Sequence, residues 1–305
     1  MRHLFTLDDL TTAEIERIFA ITQDLKAKFE QGVREPLLPG RVMALLFEKP
    51  SLRTRVSFEA GMTHLGGGSL FLGEDVGWGS RESIADFGRV LSEFVDVIVV
   101  RAKTHQKVID LASHTSCPVI NGLTDYSHPC QALADLYTVR ERFGSLKGLK
   151  IAYVGDANNV ARSLAEGCGK LGVTFACAAP KGYQFTAEDV ARFKKETPAI
   201  DLQLTDDPKI AVRARKRFIR TFGPAWGRRP NAKKRKRAFA AYQVNAALAK
   251  AAPRDAVFMH CLPANRGEEV TDEVIDSPQS VVVQQAGNRM HAQKGVLAWL
   301  LASQA

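Results

Sequence analysis

Six short apolar runs recur along the chain, and they set the narrowest limit on its fold. They are Arg41–Phe47 (RVMALLF), Asp96–Arg101 (DVIVVR), Pro118–Asn121, Ile151–Val154, Val173–Ala178 and Ala256–His260 (AVFMH). Continuous runs of this length read as strands covered on both faces, as parallel sheets require. Between them lie stretches with helical spacing. Thr11-Thr12-Ala13-Glu14 reads as a capping box, followed by Ile15, Ile18, Phe19, Thr22 and Leu25 along one face. Ser57–Leu65 reads as a helix ended by Gly66-Gly67-Gly68, and Gln131–Arg142 and Asn159–Leu171 as two more. A further strand is expected at Ser280–Val283 and a closing helix at Gln293–Ala302. Strands alternating with helices predict an α/β fold of two domains, each with a mainly parallel sheet flanked by helices. The C-terminal helix is expected to pack back on the first domain. The polar, glycine-containing stretch Phe143–Lys150 is the expected junction, giving domains at 1–142 (with 290–305) and 148–289.

At 305 residues, two domains is the natural division. No apolar run approaches the ~20 residues of a membrane span, so no membrane association is expected. Asp8, Asp9, Glu14 and Glu16 come early with no apolar segment behind them, which argues against a signal peptide. Cys117, Cys130, Cys168, Cys177 and Cys261 form an odd set without a C-x-x-C pair. Neither a disulfide framework nor a structural zinc site is expected, and a reducing cytoplasm fits. The net charge is +9, yet residues 213–237 alone hold 12 cations and no acid, so the remainder is net negative by three. A run this basic could bind nucleic acid or another polyanion, or could be a solvated face; the second is the commoner meaning, and a nucleic-acid partner is not expected.

Ser51-Leu52-Arg53-Thr54-Arg55 follows a buried run and precedes a helix. Backbone N–H groups, two hydroxyls and two guanidiniums could converge there on one anion, which the planar arginine fork suits. The competing reading is a solvated helix start. At His128-Pro129-Cys130-Gln131, His128 and Gln131 could both donate to a carbonyl oxygen, with Pro129 fixing the first helical turn; an N-capping loop with an incidental histidine is the plainer reading. Arg101 ends a buried run, where ligands gather in open α/β sheets, or serves an ion pair. His260-Cys261-Leu262-Pro263 also ends a run. Adjacent residues rarely chelate one metal ion, so no metal is expected, and a Cys261 nucleophile has no base identifiable from sequence. Gly155-Asp156-Ala157-Asn158-Asn159 lacks the G-x-G-x-x-G spacing of a dinucleotide site.

Taken in order, Phe47–Arg55 (FEKPSLRTR), His128–Gln131 and His260–Pro263 resemble the aspartate/ornithine carbamoyltransferase superfamily over nearly the whole chain. The His-Cys-Leu-Pro run, Asp156–Asn159 and the tail Asn288–Lys294 (NRMHAQK) point to the ornithine branch. The resemblance implies that Ser51, Arg53, Thr54 and Arg101 bind the phosphate of carbamoyl phosphate, with Leu52 also at the carbamoyl phosphate site. His128 and Gln131 then hold the carbamoyl group, whose carbonyl oxygen Arg101 and Thr54 polarise. Cys261 and Leu262 border both substrates, Arg289 closes on carbamoyl phosphate, and Asn159 holds L-ornithine. Catalytic roles fall to Thr54, Arg101, His128, Gln131 and Cys261, with no metal or organic cofactor. The resemblance also implies a homotrimer with shared active sites, each completed by a neighbour's loop. That loop corresponds to Gly73–Glu82, where Trp78 and Arg81 are the candidates. The product would be L-citrulline, in arginine biosynthesis. Another amine acceptor, such as acetylornithine or putrescine, is the nearest alternative.

One stretch departs from the pattern. Members of the ornithine branch carry an Asp and then Ser-Met-Gly ahead of the segment Tyr242-Gln243-Val244-Asn245. Here Arg215–Asn231 reads RKRFIRTFGPAWGRRPN and has neither. Codons chosen for the family-like peptide AEAVHTDVWASMGQEAE, read one base late, give Arg215–Pro230 residue for residue. A local frameshift closed by a second one accounts for the tract, and restoring the frame would lower the net charge from +9 to −1. As printed, the chain is expected to bind carbamoyl phosphate and to bind ornithine poorly.

Overall fold

A computed structural model describes residues 2–213, 218–221 and 232–302. The chain divides into two compact units, Met1–Tyr137 with Gly287–Ala305, and Thr138–Ala286.

The first unit is built on four parallel strands, β1 (Val42–Phe47), β2 (Gly68–Leu72), β3 (Val97–Arg101) and β4 (Val119–Leu123), in the order β2-β1-β3-β4. Helix α1 (Thr12–Glu30) precedes them, α2 (Leu52–His64), α3 (Ile84–Phe94) and α4 (His105–Ala112) intervene, and α5 (Pro129–Phe143) leads out of the unit. The Thr11 capping box forms as expected, with the Glu14 N–H donating to Oγ1 of Thr11 at 3.2 Å and the Thr11 N–H to Glu14 at 2.8 Å. Helix α2 starts five residues before the expected Ser57, because the Ser51 side chain caps it by accepting from the Thr54 N–H at 3.2 Å. The central strands β1 and β3 and the edge strand β4 are almost wholly buried, and Ile98, Val100, Val108 and Leu111 meet Trp78 in one core cluster.

The second unit holds five parallel strands, β5 (Lys150–Val154), β6 (Thr174–Ala178), β7 (Leu202–Thr205), β8 (Phe218–Thr221) and β9 (Val257–Phe258), in the order β7-β6-β5-β8-β9. Its helices are α6 (Asn159–Lys170), α7 (Ala187–Glu196), α8 (Pro208–Val212), α9 (Ala232–Phe239), α10 (Ala246–Lys250) and α11 (Asp272–Ile275). Strand β8 lies within the tract read as frameshifted, yet its backbone pairs with β5 and β9. The remainder of that tract, 214–217 and 222–231, lies outside the described residues.

The closing helix α12 (Val282–Leu301) is longer than expected and absorbs the second half of the strand expected at Ser280–Val283. Only Ser280 pairs with a strand, in an isolated bridge to Phe258. From Gly287 onward α12 belongs to the first unit. There Gly295 lies against α1, where a Cβ would collide with the Thr22 hydroxyl and the Ile18 carbonyl. Nζ of Lys26 donates to Oδ1 of Asn288 at 2.9 Å. This is the expected return of the C-terminal helix to the first domain.

Candidate active site

In the first unit the ends of β1, β3 and β4 and the starts of α2 and α5 bring the expected donor residues together, with Arg289 supplied by α12. The run Ser51–Arg55 is the N-cap and first turn of α2. Leu52 projects outward, 74% exposed, so what it can offer an anion is its backbone N–H. The two arginines of the run part company. Arg55 pairs with Glu59 at 3.2 Å and lies over the Phe71 ring at 3.8 Å, so it does not join the anion site that the run suggested. Arg53 instead acts on Arg101: burial first, then the charges of Arg289 and Arg53, lower the Arg101 guanidinium to about 10. Nε of Arg101 is buried with no hydrogen-bond partner among the described residues. Arg289 and Arg53 thus set like charge against the Arg101 guanidinium.

Arg289 is buried and held from two sides. Its Nη1 donates to Oε1 of Gln131 at 2.8 Å and its Nη2 to the Thr54 hydroxyl at 2.9 Å. Nε2 of Gln131 donates to Oδ1 of Asp135 at 2.8 Å. Four buried side chains therefore form one line, Asp135–Gln131–Arg289–Thr54. With its oxygen accepting from Arg289, the Thr54 hydroxyl keeps its hydrogen to donate. His128 precedes Pro129 at the start of α5 and is buried. Burial, then Arg289 and Arg101, hold its imidazole well below the usual 6.5, so it is neutral and presents one N–H. Cys130 beside it is buried, its thiol pushed up to about 12 by desolvation, which makes it a packing residue rather than a nucleophile.

Gly73–Glu82 is anchored on its own unit. Trp78 is 4% exposed, within the core cluster, and Nζ of Lys107 sits 4.7 Å above its ring. Lys107 in turn pairs with Glu48 at 2.5 Å, and Glu48 also accepts from the Lys103 N–H at 2.6 Å. Of the two candidates in this loop, Trp78 is its anchor, while Arg81 is exposed.

The second unit holds the expected acceptor residues. Asn158 caps α6, accepting from the Val160 and Ala161 N–H groups at 2.9 and 3.3 Å, and Asn159 opens the helix behind it. Asp156, in the same turn, pairs with the buried Arg235 at 2.7 Å. Arg235 also lies over the Tyr183 and Phe239 rings at 4.8 and 5.2 Å.

His260 is fixed three ways. Its N–H donates to Oε1 of Gln285 at 2.8 Å, Nε2 meets Oε2 of the buried Glu269 at 2.9 Å, and Nδ1 accepts from the Leu262 N–H at 2.9 Å. With Nδ1 accepting, Nε2 carries the proton toward Glu269. Both ring nitrogens are thus engaged, which removes His260 both as a metal ligand and as a base for Cys261. No metal-binding cluster occurs among the described residues. The tight return from His260 leaves Leu262 at φ 53°, left-handed for a non-glycine residue, and Cys261 partly exposed.

Sequence reasoning missed Asp135, Glu48 and Glu269. Asp135 had a signal, since it follows Gln131 by four residues on one helix face. Nothing in the sequence indicated that Glu48 and Glu269 are buried partners of Lys107 and His260.

Comparison with known proteins gives one consistent result. Residues 2–141 match the family described as aspartate/ornithine carbamoyltransferase, carbamoyl-P binding domain, and residues 147–300 its Asp/Orn binding domain. The chain is 47% identical over 303 residues to an ornithine carbamoyltransferase of Bacillus subtilis, covering 98% of this chain and 94% of that one. It is 45% identical over 304 residues to one of Symbiobacterium thermophilum, covering 99% and 98%. The structure superposes on an ornithine carbamoyltransferase from Pyrococcus furiosus with a TM-score of 0.94, at 46% identity, covering 98% of this chain and 97% of that one.

Proposed function

The chain belongs to the aspartate/ornithine carbamoyltransferase family, and from that premise we propose that it transfers the carbamoyl group of carbamoyl phosphate to the δ-amine of L-ornithine, releasing L-citrulline and phosphate. The observation that carries this reading is the cluster of Arg53, Arg101 and Arg289, where burial first and then the charges of Arg289 and Arg53 depress Arg101, and which an incoming dianion stabilises.

The phosphate sits on the backbone N–H groups of Leu52 and its neighbours at the start of α2, beside Ser51, Arg53, Thr54 and Arg101. The Arg101 guanidinium, the Thr54 hydroxyl and the neutral His128 N–H donate to the carbamoyl carbonyl oxygen. One N–H of Gln131 faces Asp135, and its second is directed to the carbamoyl group. Asn159, Cys261 and Leu262 hold ornithine. Its neutral δ-amine forms a bond to the carbonyl carbon, and the electrons of the C=O bond move onto oxygen, where the donors already point. Collapse expels phosphate, whose charge the arginines have neutralised, and the amine loses its proton. Holding both substrates in register supplies much of the rate. This chemistry draws on no metal or organic cofactor.

The same reading assigns carbamoyl phosphate to 1–142 with 290–305 and ornithine to 148–289, with Arg289 at that border serving carbamoyl phosphate. It extends to a cytoplasmic protein of arginine biosynthesis that works as a homotrimer with shared sites. In support of the trimer, Leu52, Val56, Phe71 and Phe94 leave apolar surface exposed on the first unit. Arg81, exposed in the loop, is the candidate to reach a neighbour's site. Light scattering should then give about 100 kDa, three times 33.5 kDa.

An acceptor screen at constant carbamoyl phosphate tests the reaction. Product from ornithine well above that from acetylornithine or putrescine supports it; product from another amine alone refutes the acceptor.

A further inference from the structure

We propose that Asp135 is a positioning residue for the donor half of the site: it fixes which end of the Gln131 amide faces Arg289. The inference rests on the carbamoyl phosphate reading above and adds a residue to it.

The two ends of a glutamine amide are nearly the same shape, so packing alone does not choose between them. Chemistry does. A guanidinium can only donate, and so requires the amide oxygen; a carboxylate can only accept, and so requires the NH2. Asp135 lies one helical turn after Gln131 on α5 and accepts from its Nε2 at 2.8 Å. The oxygen is thereby turned to Nη1 of Arg289 at 2.8 Å, and Nη2 of Arg289 reaches the Thr54 hydroxyl at 2.9 Å. Reversal of the amide would set NH2 against guanidinium and oxygen against carboxylate. All four side chains are buried, so water would not repair either mismatch. Through this line Asp135, on α5, sets the pose of Arg289, on α12, and of Thr54, on α2. Asp135 itself touches no substrate.

The charge of Asp135 makes the proposal testable by sign. By Coulomb's law alone, removing a carboxylate near an anion site strengthens anion binding. The positioning role requires the reverse. Calorimetry with carbamoyl phosphate is therefore expected to show at least tenfold weaker binding for Asp135→Ala. Asp135→Asn keeps an acceptor oxygen at the same reach and should bind within threefold of the parent. Asp135→Ser, whose hydroxyl is too short to reach Gln131, replaces the alanine variant if that variant does not fold, and should be equally weak. Unchanged or tighter binding by Asp135→Ala would overturn the proposal, as would an asparagine variant as weak as alanine. If the parent itself fails to bind carbamoyl phosphate, the donor reading fails and this inference with it. Normal parent binding with normal alanine binding sinks the Asp135 role alone.

Discussion

Arg53 and Arg55 stand two residues apart in one motif and have opposite duties, because a helix start sends them in different directions. Arg55 is spent on Glu59 and Phe71, whereas Arg53 adds its charge to the cluster at Arg101. Arg53→Ala should therefore weaken carbamoyl phosphate binding tenfold or more, while Arg55→Ala should stay within twofold; equal losses in a titration would refute the division. The pH dependence follows from the same cluster. His128 is neutral throughout the physiological range, since its pKa lies well below 6.5. Arg101 keeps its charge until pH approaches about 10. Carbamoyl phosphate affinity should be level from pH 7 to 9 and fall as pH rises through 10. A loss between pH 6 and 8 that tracks a histidine would contradict the assignment. The identities of these residues were legible in the sequence, since Ser51, Arg53, Thr54, Arg101, His128 and Gln131 sit in recognisable runs. Their connections were not. The line from Asp135 to Thr54 joins positions 235 residues apart in pairs such as Arg289–Thr54, and no local pattern encodes that.

The helices and strands show which signals a sequence carries well. Buried strands announce themselves as apolar runs, and β1, β3, β4, β5, β6 and β9 were all visible, although β4 and β9 lie at sheet edges. Of the strands that gave no signal, β8 lies in the anomalous tract, while β2 and β7 are sheet edges with no fully buried residue, so neither continuous nor alternating apolar character marks them. The β-branched run Val281–Val283 misled in the other direction. Local β-propensity is weak against the packing of a 20-residue helix, and α12 begins at Val282. At this scale two stability predictions follow from local geometry. Ser51→Ala removes the cap of α2 and should cost about 1 kcal/mol, read as a lower Tm. Lys294 on α12 is buried near Arg34 and is lowered to about 8 from an ordinary 10.5. Its folded pKa lies below its unfolded one, so the unfolded chain binds the proton more tightly. The cost is full below pH 8 and vanishes above 10.5. Lys294→Met should thus stabilise at pH 7, by about 1 kcal/mol, with the gain shrinking toward pH 10. A gain independent of pH would show that packing, not charge, is responsible.

For the whole molecule, the expected donor residues of this chain lie together in the first unit, and the anomalous tract falls in the second. Of the five consecutive cations Lys233–Arg237, Arg235 is paired with Asp156 and Lys236 with Glu268, which weakens the reading of α9 as a polyanion-binding face. The frame-restored chain, with AEAVHTDVWASMGQEAE in place of 214–230, should bind ornithine at least tenfold more tightly than the printed one and carbamoyl phosphate equally well. Equal ornithine binding by both chains would remove the frameshift account. The donor site is the claim on which the rest depends, and calorimetry with carbamoyl phosphate tests it on the chain as printed. The account predicts one site per chain, with binding reduced at least a hundredfold in Arg101→Met while the fold is retained. No binding by the parent, or parent-like binding by Arg101→Met, would contradict it.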